Sequence, residues 1–519
     1  MPYSVLTEPV IPVLWPNGTS SAVGIREVFL RAHEIRDIQG ETPLERYALL
    51  RLLIAFAMDM LHPRTSYERR DLLDEGCFDQ AVFDQYIALC EQDGPRFDLF
   101  DPDHPFMQSK YDEELDAKAE KPVASIVHSL PSGNNPVFID HRYETEYALP
   151  YEKALCKLCS AYLFCVAGLA GPKKDNFPSS VNNRPPFYVT IVGKSLFETI
   201  IWNMLSESEL RNSTIIGKAP WRTEYFIQPY EKVNDISFID GLTWMSRRIT
   251  LISDRDGYIR KIYYQAGKDF IGNRKWVDPY VPRITNSKTF EKENLVPKLG
   301  REFWQDAGSL LYESNQNNGT QPQIITCLSN ILDDTASYVH IRVVGLVTDK
   351  AKFEEWIDGE LCLPEMVLNQ EEKAYLFRAD IAMIEKLQSV LFVVVKNVID
   401  KPQKEEKLKK VWKDLVEKKQ IDSDKKTREI ALQCQRFFLQ GAHNLLFGES
   451  LNEIVNDIPE KEHIHHFCNK LGNLLSETFK QVLFATGQNV KSMIQQNEAK
   501  RRIWNVYKVI SEERKNKYV

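Results

Sequence analysis

The eleven residues FDPDHPFMQSK, positions 100–110, carry the decisive reading of the chain. Asp101 and Asp103 bracket Pro102, His104 follows, and Pro105 leads through Phe106 and Met107 to Gln108, Ser109 and Lys110. Two carboxylates and an imidazole have the chemistry of a metal-ligand set or an acid–base pair. Two prolines pin the backbone between them, which limits how the three side chains converge. The stretch therefore reads as a structural turn, and the rival is a metal-dependent hydrolase centred on Asp101, Asp103 and His104. No G-x-x-x-x-G-K-[ST], no G-x-G-x-x-G after a strand, no G-x-S-x-G and no H-E-x-x-H adds a second enzyme signature.

Outward from this stretch the chain has two textures. Upstream, Thr42-Pro43-Leu44-Glu45 is a capping box with proline at the first helical position, and it opens a segment apolar on most sides, which predicts a buried helix. Downstream to about Pro364, helical stretches such as SLFETIIWNML alternate with β-rich runs such as PFYVTIVG, ITLIS and YVHIRVVGLV. From about Val367 strand signals fade. Ile464, Phe467, Cys468, Leu471, Leu475, Phe479 and Val482 then fall on one helical stripe, and Ile503, Tyr507 and Ile510 repeat the spacing. The expected fold class is α+β: an irregular mixed N-terminal body over 1–366 and a C-terminal four-helix bundle over 367–519. Within the bundle, the Lys/Glu-rich segment 401–426 keeps Leu408, Val411, Trp412 and Leu415 at helical spacing and reads as a solvated helix. His463, His465 and His466 flank the apolar stripe and read as an exposed polar face rather than metal ligands.

The chain has 519 residues, 43% apolar, and a formal net charge of −7, so any anion-binding surface must be a local patch. The N-terminus lacks a basic region followed by an apolar one, and no apolar run spans a bilayer; neither a signal peptide nor a membrane anchor is expected. Nine scattered cysteines suit reduced thiols in a cytoplasm. Cys156-x-x-Cys159 is half of a tetrahedral zinc site, but no second pair follows, so no zinc or other cofactor is expected.

Several loops have nucleic-acid chemistry. Lys173, Lys174, Asp175, Asn176 and Phe177 precede Asn182-Asn183-Arg184, and Lys268 with Asn273-Arg274-Lys275-Trp276 forms a second basic-aromatic cluster. Two strand-like runs enclose Thr348-Asp349-Lys350-Ala351-Lys352, a hairpin with a charged tip.

His104-Pro105-Phe106-Met107-Gln108 resembles the signature of the CasA family, the large subunits of type I-E CRISPR surveillance complexes called Cascade. Pro136-Val137-Phe138, Cys156-x-x-Cys159, Gly241-Leu242-Thr243-Trp244 and Trp276-Val277-Asp278-Pro279-Tyr280 follow in the same order. The resemblance implies a noncatalytic, cytoplasmic prokaryotic subunit that holds the 5′ handle of the crRNA and reads the protospacer-adjacent motif (PAM) on double-stranded target DNA. It also implies contact with the backbone, handle-binding and small helical subunits, and recruitment of a helicase-nuclease or a nuclease-fused subunit, while base pairing reads the sequence. By the same resemblance Phe138, with Ile139, Asp140, His141 and Arg142, forms the crRNA-handle loop, and Lys173 to Phe177 face the minor groove beside the PAM. Lys268 is the lysine finger; Thr348, Asp349, Lys350 and Ala351 form the wedge hairpin; Arg184, Arg274 and Lys275 meet the DNA backbone. Three features depart from the family: Lys174 to Pro178 contains no glycine, the wedge tip carries lysine where glutamine is known, and Cys156 and Cys159 remain as a remnant of a zinc site. A purely architectural scaffold without DNA contact is the third reading.

Overall fold

The computed structural model describes residues 2–516 apart from 131–146, 167, 170–175, 178–179, 183, 212–213, 224–225, 255, 272–275, 287–288, 300, 307–318, 331–337, 350–351, 401–424 and 484–489. The chain divides into two compact units, Met1–Leu363 and Pro364–Val519; the first mixes helices with short sheets and the second is helical among the described residues.

The first unit is built around helix α1 (Pro43–Leu61). Thr42 Oγ1 accepts from Glu45 N at 3.3 Å and Pro43 holds the first helical position, so the start is fixed locally. Side chains on all its faces are buried, as expected of a helix apolar all round. Its fully buried charged side chains each find an ionic partner. Glu45 accepts from Lys157 Nζ at 2.7 Å, across to α2 (Tyr151–Leu163). Asp59 accepts from Tyr86 Oη at 2.5 Å and Arg222 Nη1 at 3.1 Å. Arg51 donates to both Asp278 carboxylate oxygens, at 2.6 and 3.2 Å, and to the Gly241 carbonyl at 2.9 Å.

Other helices and small sheets pack on this helix. The strands that position the site are β1 (Tyr188–Val192), β2 (Glu231–Val233), β3 (Arg247–Ser253), β4 (Tyr258–Ala266), β5 (Lys268–Phe270), β6 (Tyr338–Asp349) and β7 (Lys352–Pro364). β3 and β4 form an antiparallel hairpin, β2 and β5 pair in parallel, and β6 lies between β7 and β1. β1 covers β6 only from His340 to Val344, so the Gly345–Asp349 end of the β6–β7 hairpin runs past it.

FDPDHPFMQSK fastens its own loop to the core of the β3–β4 hairpin. Asp101 Oδ1 accepts from the Asp103 and His104 amides at 2.9 and 2.6 Å, a self-contained turn. Gln108 is buried; its Nε2 donates to the Leu99 carbonyl at 2.8 Å, and its Oε1 accepts from Leu251 N at 2.7 Å. Ser109 N donates to the Ile249 carbonyl at 3.1 Å, and Tyr162 Oη to the Met107 carbonyl at 3.0 Å. Arg248, on β3, closes the clasp through a bidentate pair with Asp116 at 2.9 and 2.6 Å, both groups buried.

In the second unit, α3 (Glu371–Asp400) packs on α4 (Lys425–Asn444) and α6 (Val490–Asn516), while α5 (Glu460–Thr478) packs on α4 and α6, a four-helix arrangement among the described residues. Residues 401–424 of the Lys/Glu-rich segment lie outside the described residues. The stripe from Ile464 to Phe479 is buried as its spacing predicts. At Phe479–Leu483 the helix widens to a π turn, which advances the buried face by one residue, so Leu483 is fully buried in place of Val482. No described helix is long and apolar enough to cross a membrane.

His463 overturns the expectation of an exposed polar face. Its side chain is fully buried, with Nε2 3.0 Å from Asp380 Oδ2 and Nδ1 3.0 Å from Glu453 Oε2. Ser450 Oγ also donates to Asp380, and Arg514 pairs with the same carboxylate while stacking over Phe467. His466 and Lys470 face Glu453 from the same helix, and Glu449 faces Lys470. Helical spacing places a residue on a stripe's margin but does not reveal the carboxylates that neighbouring helices bring to it.

Two outcomes follow from these buried charges. Replacing Arg51 with Met leaves Asp278 buried and unpaired, and should cost about 3–5 kcal/mol in urea unfolding of the first unit. For His463, burial opposes the charged form, but the bonds to Asp380 and Glu453 outweigh it and raise its pKa above the ordinary 6.5. The stabilisation is therefore complete below the unfolded-state pKa and is lost as pH rises through the higher folded value. Melting of the chain from pH 6 upward should show this loss, and His463→Gln should flatten it.

Candidate nucleic-acid interface

Phe138, Ile139, Asp140, His141, Arg142, Lys173, Lys174, Asp175, Arg274, Lys275, Lys350 and Ala351 lie outside the described residues. Arg184, Lys268, Thr348 and Asp349 are described with their side chains, and Asn176 and Phe177 by their backbone. Asn176–Phe177 pairs antiparallel with Gly168–Leu169, so this part of the expected loop is a short two-stranded ladder. Strand propensity is weak in two residues, and the pairing depends on partners seven and nine positions away, which explains why the sequence pattern reads as loop.

The described chain next to these segments is anchored at one place. Asp278, just after 272–275, accepts from Arg51 and also from Asn182 Nδ2 at 2.9 Å. Asn182 in turn donates to Tyr188 Oη at 3.2 Å, and Arg184, exposed, lies two residues further on. The Arg51 guanidinium sits 5.6 Å from the Tyr188 ring and 5.5 Å from the Tyr280 ring. Tyr188 stacks on Tyr47 at 4.7 Å and meets the edge of Phe164 at 5.6 Å. Phe164 neighbours His128 at 6.5 Å, and His128 meets Phe353 of β7 at 5.0 Å, near the base of the hairpin tip. Burial, with the Lys157 charge nearby, pushes His128 down to about 4, so it acts as a neutral ring in this aromatic chain at physiological pH. Ionic and aromatic contacts thus tie the start of β7, the segment before Arg184 and the segment after 272–275 to α1.

Lys268 opens β5, which runs parallel to β2 with Lys268 opposite Glu231. Its ammonium lies 5.8 Å from the Trp244 ring. Strand alternation puts Phe270 on the same face and Asp269 on the other. Phe270 meets Trp244 edge-on at 6.4 Å and, with Arg211, Asn234, Asp235 and Trp276, lines a cleft of about 360 Å³. Thr348 is half-buried and Asp349 exposed at the far end of β6. Of the supporting partners, Arg51 is distant in sequence from the cations and carries no local signal, while Trp244 and Asp278 fall within Gly241-Leu242-Thr243-Trp244 and Trp276 to Tyr280, which stand out as shared motifs.

The rival catalytic residues are not gathered. Asp101 is occupied by its own turn, Asp103 pairs with Lys110, and among the described residues no three His, Cys, Asp or Glu side chains converge as metal ligands. Cys156 and Cys159 are buried on α2, and Cys156 Sγ lies 3.7 Å from the Val10 carbonyl. Burial raises both thiols, Cys159 to about 12, so they are protonated at neutral pH.

The architecture is that of CRISPR-associated proteins of known structure. Thermus thermophilus CasA (Cse1) matches with a TM-score of 0.73 at 21% identity, over 96% of this chain and 99% of that one. A chain of a CRISPR RNA-guided surveillance complex matches with a TM-score of 0.75 at 17% identity, over 97% and 99%. In sequence, the CRISPR-associated protein CasA/Cse1 of Thermus thermophilus is 29% identical over 402 residues, 74% of this chain and 75% of that protein. The model of the family "CRISPR-associated protein Cse1" matches residues 5–506, and the chain belongs to this family.

Thiol accessibility offers a direct check of the α2 geometry. Brief maleimide treatment of the native protein should label Cys77 and Cys362, the exposed pair, while Cys156, Cys159 and the other five react only after denaturation.

Proposed function

We propose that the chain is the noncatalytic large subunit of a type I-E CRISPR RNA-guided surveillance complex, which recognises the PAM in duplex DNA, nucleates strand opening, contacts the crRNA 5′ handle and helps recruit the nuclease in antiviral defence. Its partners are then crRNA, double-stranded target DNA, the other Cascade subunits and a helicase-nuclease or nuclease-fused subunit. It works in a prokaryotic cytoplasm and needs no cofactor. Membership of the Cse1 family over nearly the whole chain carries this reading.

The geometry supports it in two ways. Lys268 is an amphipathic cation on a short strand, seated against an aromatic ring beside a cleft, which suits contact with groove-edge acceptors and phosphates. The β6–β7 hairpin runs beyond its β1 neighbour, with Thr348 and Asp349 at the far end of β6, a shape suited to pressing on a duplex. Opening a base step costs a few kcal/mol, which new contacts at the tip must offset. Phe138 supplies a ring for stacking on an unpaired handle base, and Lys173, Lys174, Arg184, Arg274 and Lys275 supply phosphate contacts.

The test is binding of target duplexes with a randomised flank to the guide-loaded complex, assembled with and without this chain, at two salt concentrations. The chain should add affinity for a subset of flanks, and Lys268→Ala should reduce that gain. Equal affinity gains for all flanks would reduce the chain to a nonspecific clamp, and no gain would leave it a scaffold.

A further inference from the structure

Lys268 owes its place to two residues outside its own strand. Gly267 packs directly on the backbone of the segment leading into β3: a Cβ there would stand 2.6 Å from the Arg247 carbonyl carbon and 2.7 Å from the Met245 oxygen. That close approach lets Gly267 N donate to the Ser246 carbonyl and Lys268 N to the Met245 carbonyl, each at 3.1 Å. The Gly267 carbonyl accepts from Glu231 N at 3.2 Å, which starts the parallel pairing of β5 with β2. The turn thus lowers Lys268 onto Trp244, the residue just before Met245.

Trp244 is a buried seat. It is only 7% exposed, its edge is held by Phe270, and it lines a void of about 20 Å³ together with Arg51, Gly241 and Ser180. A lysine over an indole keeps its charge while its long stem loses freedom, and the ring's negative face favours the ammonium. Gly241 also shares this neighbourhood: the Trp276 ring occupies the space of a Cβ there, so Trp276 is fitted against glycine backbone.

We propose that Trp244 is a positioning residue for Lys268, holding its ammonium at the DNA flank, with Gly267 as the backbone device that brings the two together. The proposal rests on the assignment of Lys268 to flank recognition. It is tested with full-length chain in guide-loaded complexes, by measuring affinity for a duplex carrying the preferred flank against one with a scrambled flank. Trp244→Leu should cut the preference about two- to five-fold, the equivalent of a cation–π contact of about 0.5–1 kcal/mol, and Trp244→Phe should cut it less. Neither should reduce it further in the Lys268→Ala background. If Trp244→Leu does not assemble, Trp244→Phe carries the same test, because its smaller loss should also vanish in the Lys268→Ala background. An equal loss with and without Lys268, or an equal loss on both duplexes, overturns the positioning role. If Lys268→Ala itself leaves the preference unchanged, the assignment of Lys268 falls and takes the positioning role with it.

Discussion

A guanidinium and a carboxylate, both withdrawn from water, hold the first unit together. Arg51 and Asp278 are 2% and 0% exposed, and burial alone would penalise both charges heavily. The geometry compensates: a two-pronged ion pair, the Gly241 carbonyl, the Asn182 amide and the Tyr280 backbone amide share the available donors and acceptors. Burial works against the charge on Arg51, yet Asp278 and the surrounding phenol groups raise its pKa above even the ordinary arginine value. A pair of this kind is a poor source of net stability compared with apolar packing, but it is strict about geometry. It ties α1 to the residues at 182, 241 and 278, and two of these lie beside segments that carry the candidate contacts.

This anchoring reconciles an acidic chain with an anionic ligand. With a net charge of −7, the chain as a whole would repel DNA, so the proposed binding calls for cations placed locally. Strand alternation puts Lys268 on the opposite face of β5 from Asp269, with Glu231 as its register partner and the Trp244 ring beneath it, and the Arg184 side chain is exposed. Many internal carboxylates are instead neutralised inside: Asp116 by Arg248, Asp278 by Arg51, and Glu45 by Lys157.

Legibility in the sequence follows the range of the interaction. α1 is readable because its cap, proline and apolar faces all act within a few residues, and the hairpin because two β-rich runs enclose a charged tip. The α5 stripe is readable up to Phe479, where a π turn shifts the register by a residue that no periodic pattern contains. FDPDHPFMQSK is readable as a turn, but not as a clasp, since the partners of Gln108 and Ser109 lie on β3. His463 escapes a periodic reading for the same reason: Asp380 lies 83 positions away and cannot be foreseen from the helix that carries the imidazole. The site is legible as chemistry, in its clustered cations and rings, and not as architecture, because Arg51, Trp244 and Asp278 meet only in the fold.

The same distinction bears on what can vary. A residue such as Gln108 or Asp278 satisfies several buried partners at once, so replacing it strands each of them, and the penalty falls on folding. Asp349, at an exposed hairpin end beyond β1, has no comparable obligation to the core. Substitution there changes what the tip meets without removing what holds the hairpin, because the strands are held by Phe353 against His128 and by the β1–β6 ladder. A fold can therefore persist at 21% identity while its outward contacts are rewritten. Lysine at position 350, where the resemblance leads one to expect glutamine, differs from it in chemistry: under the proposed function it would offer a charge in place of an amide.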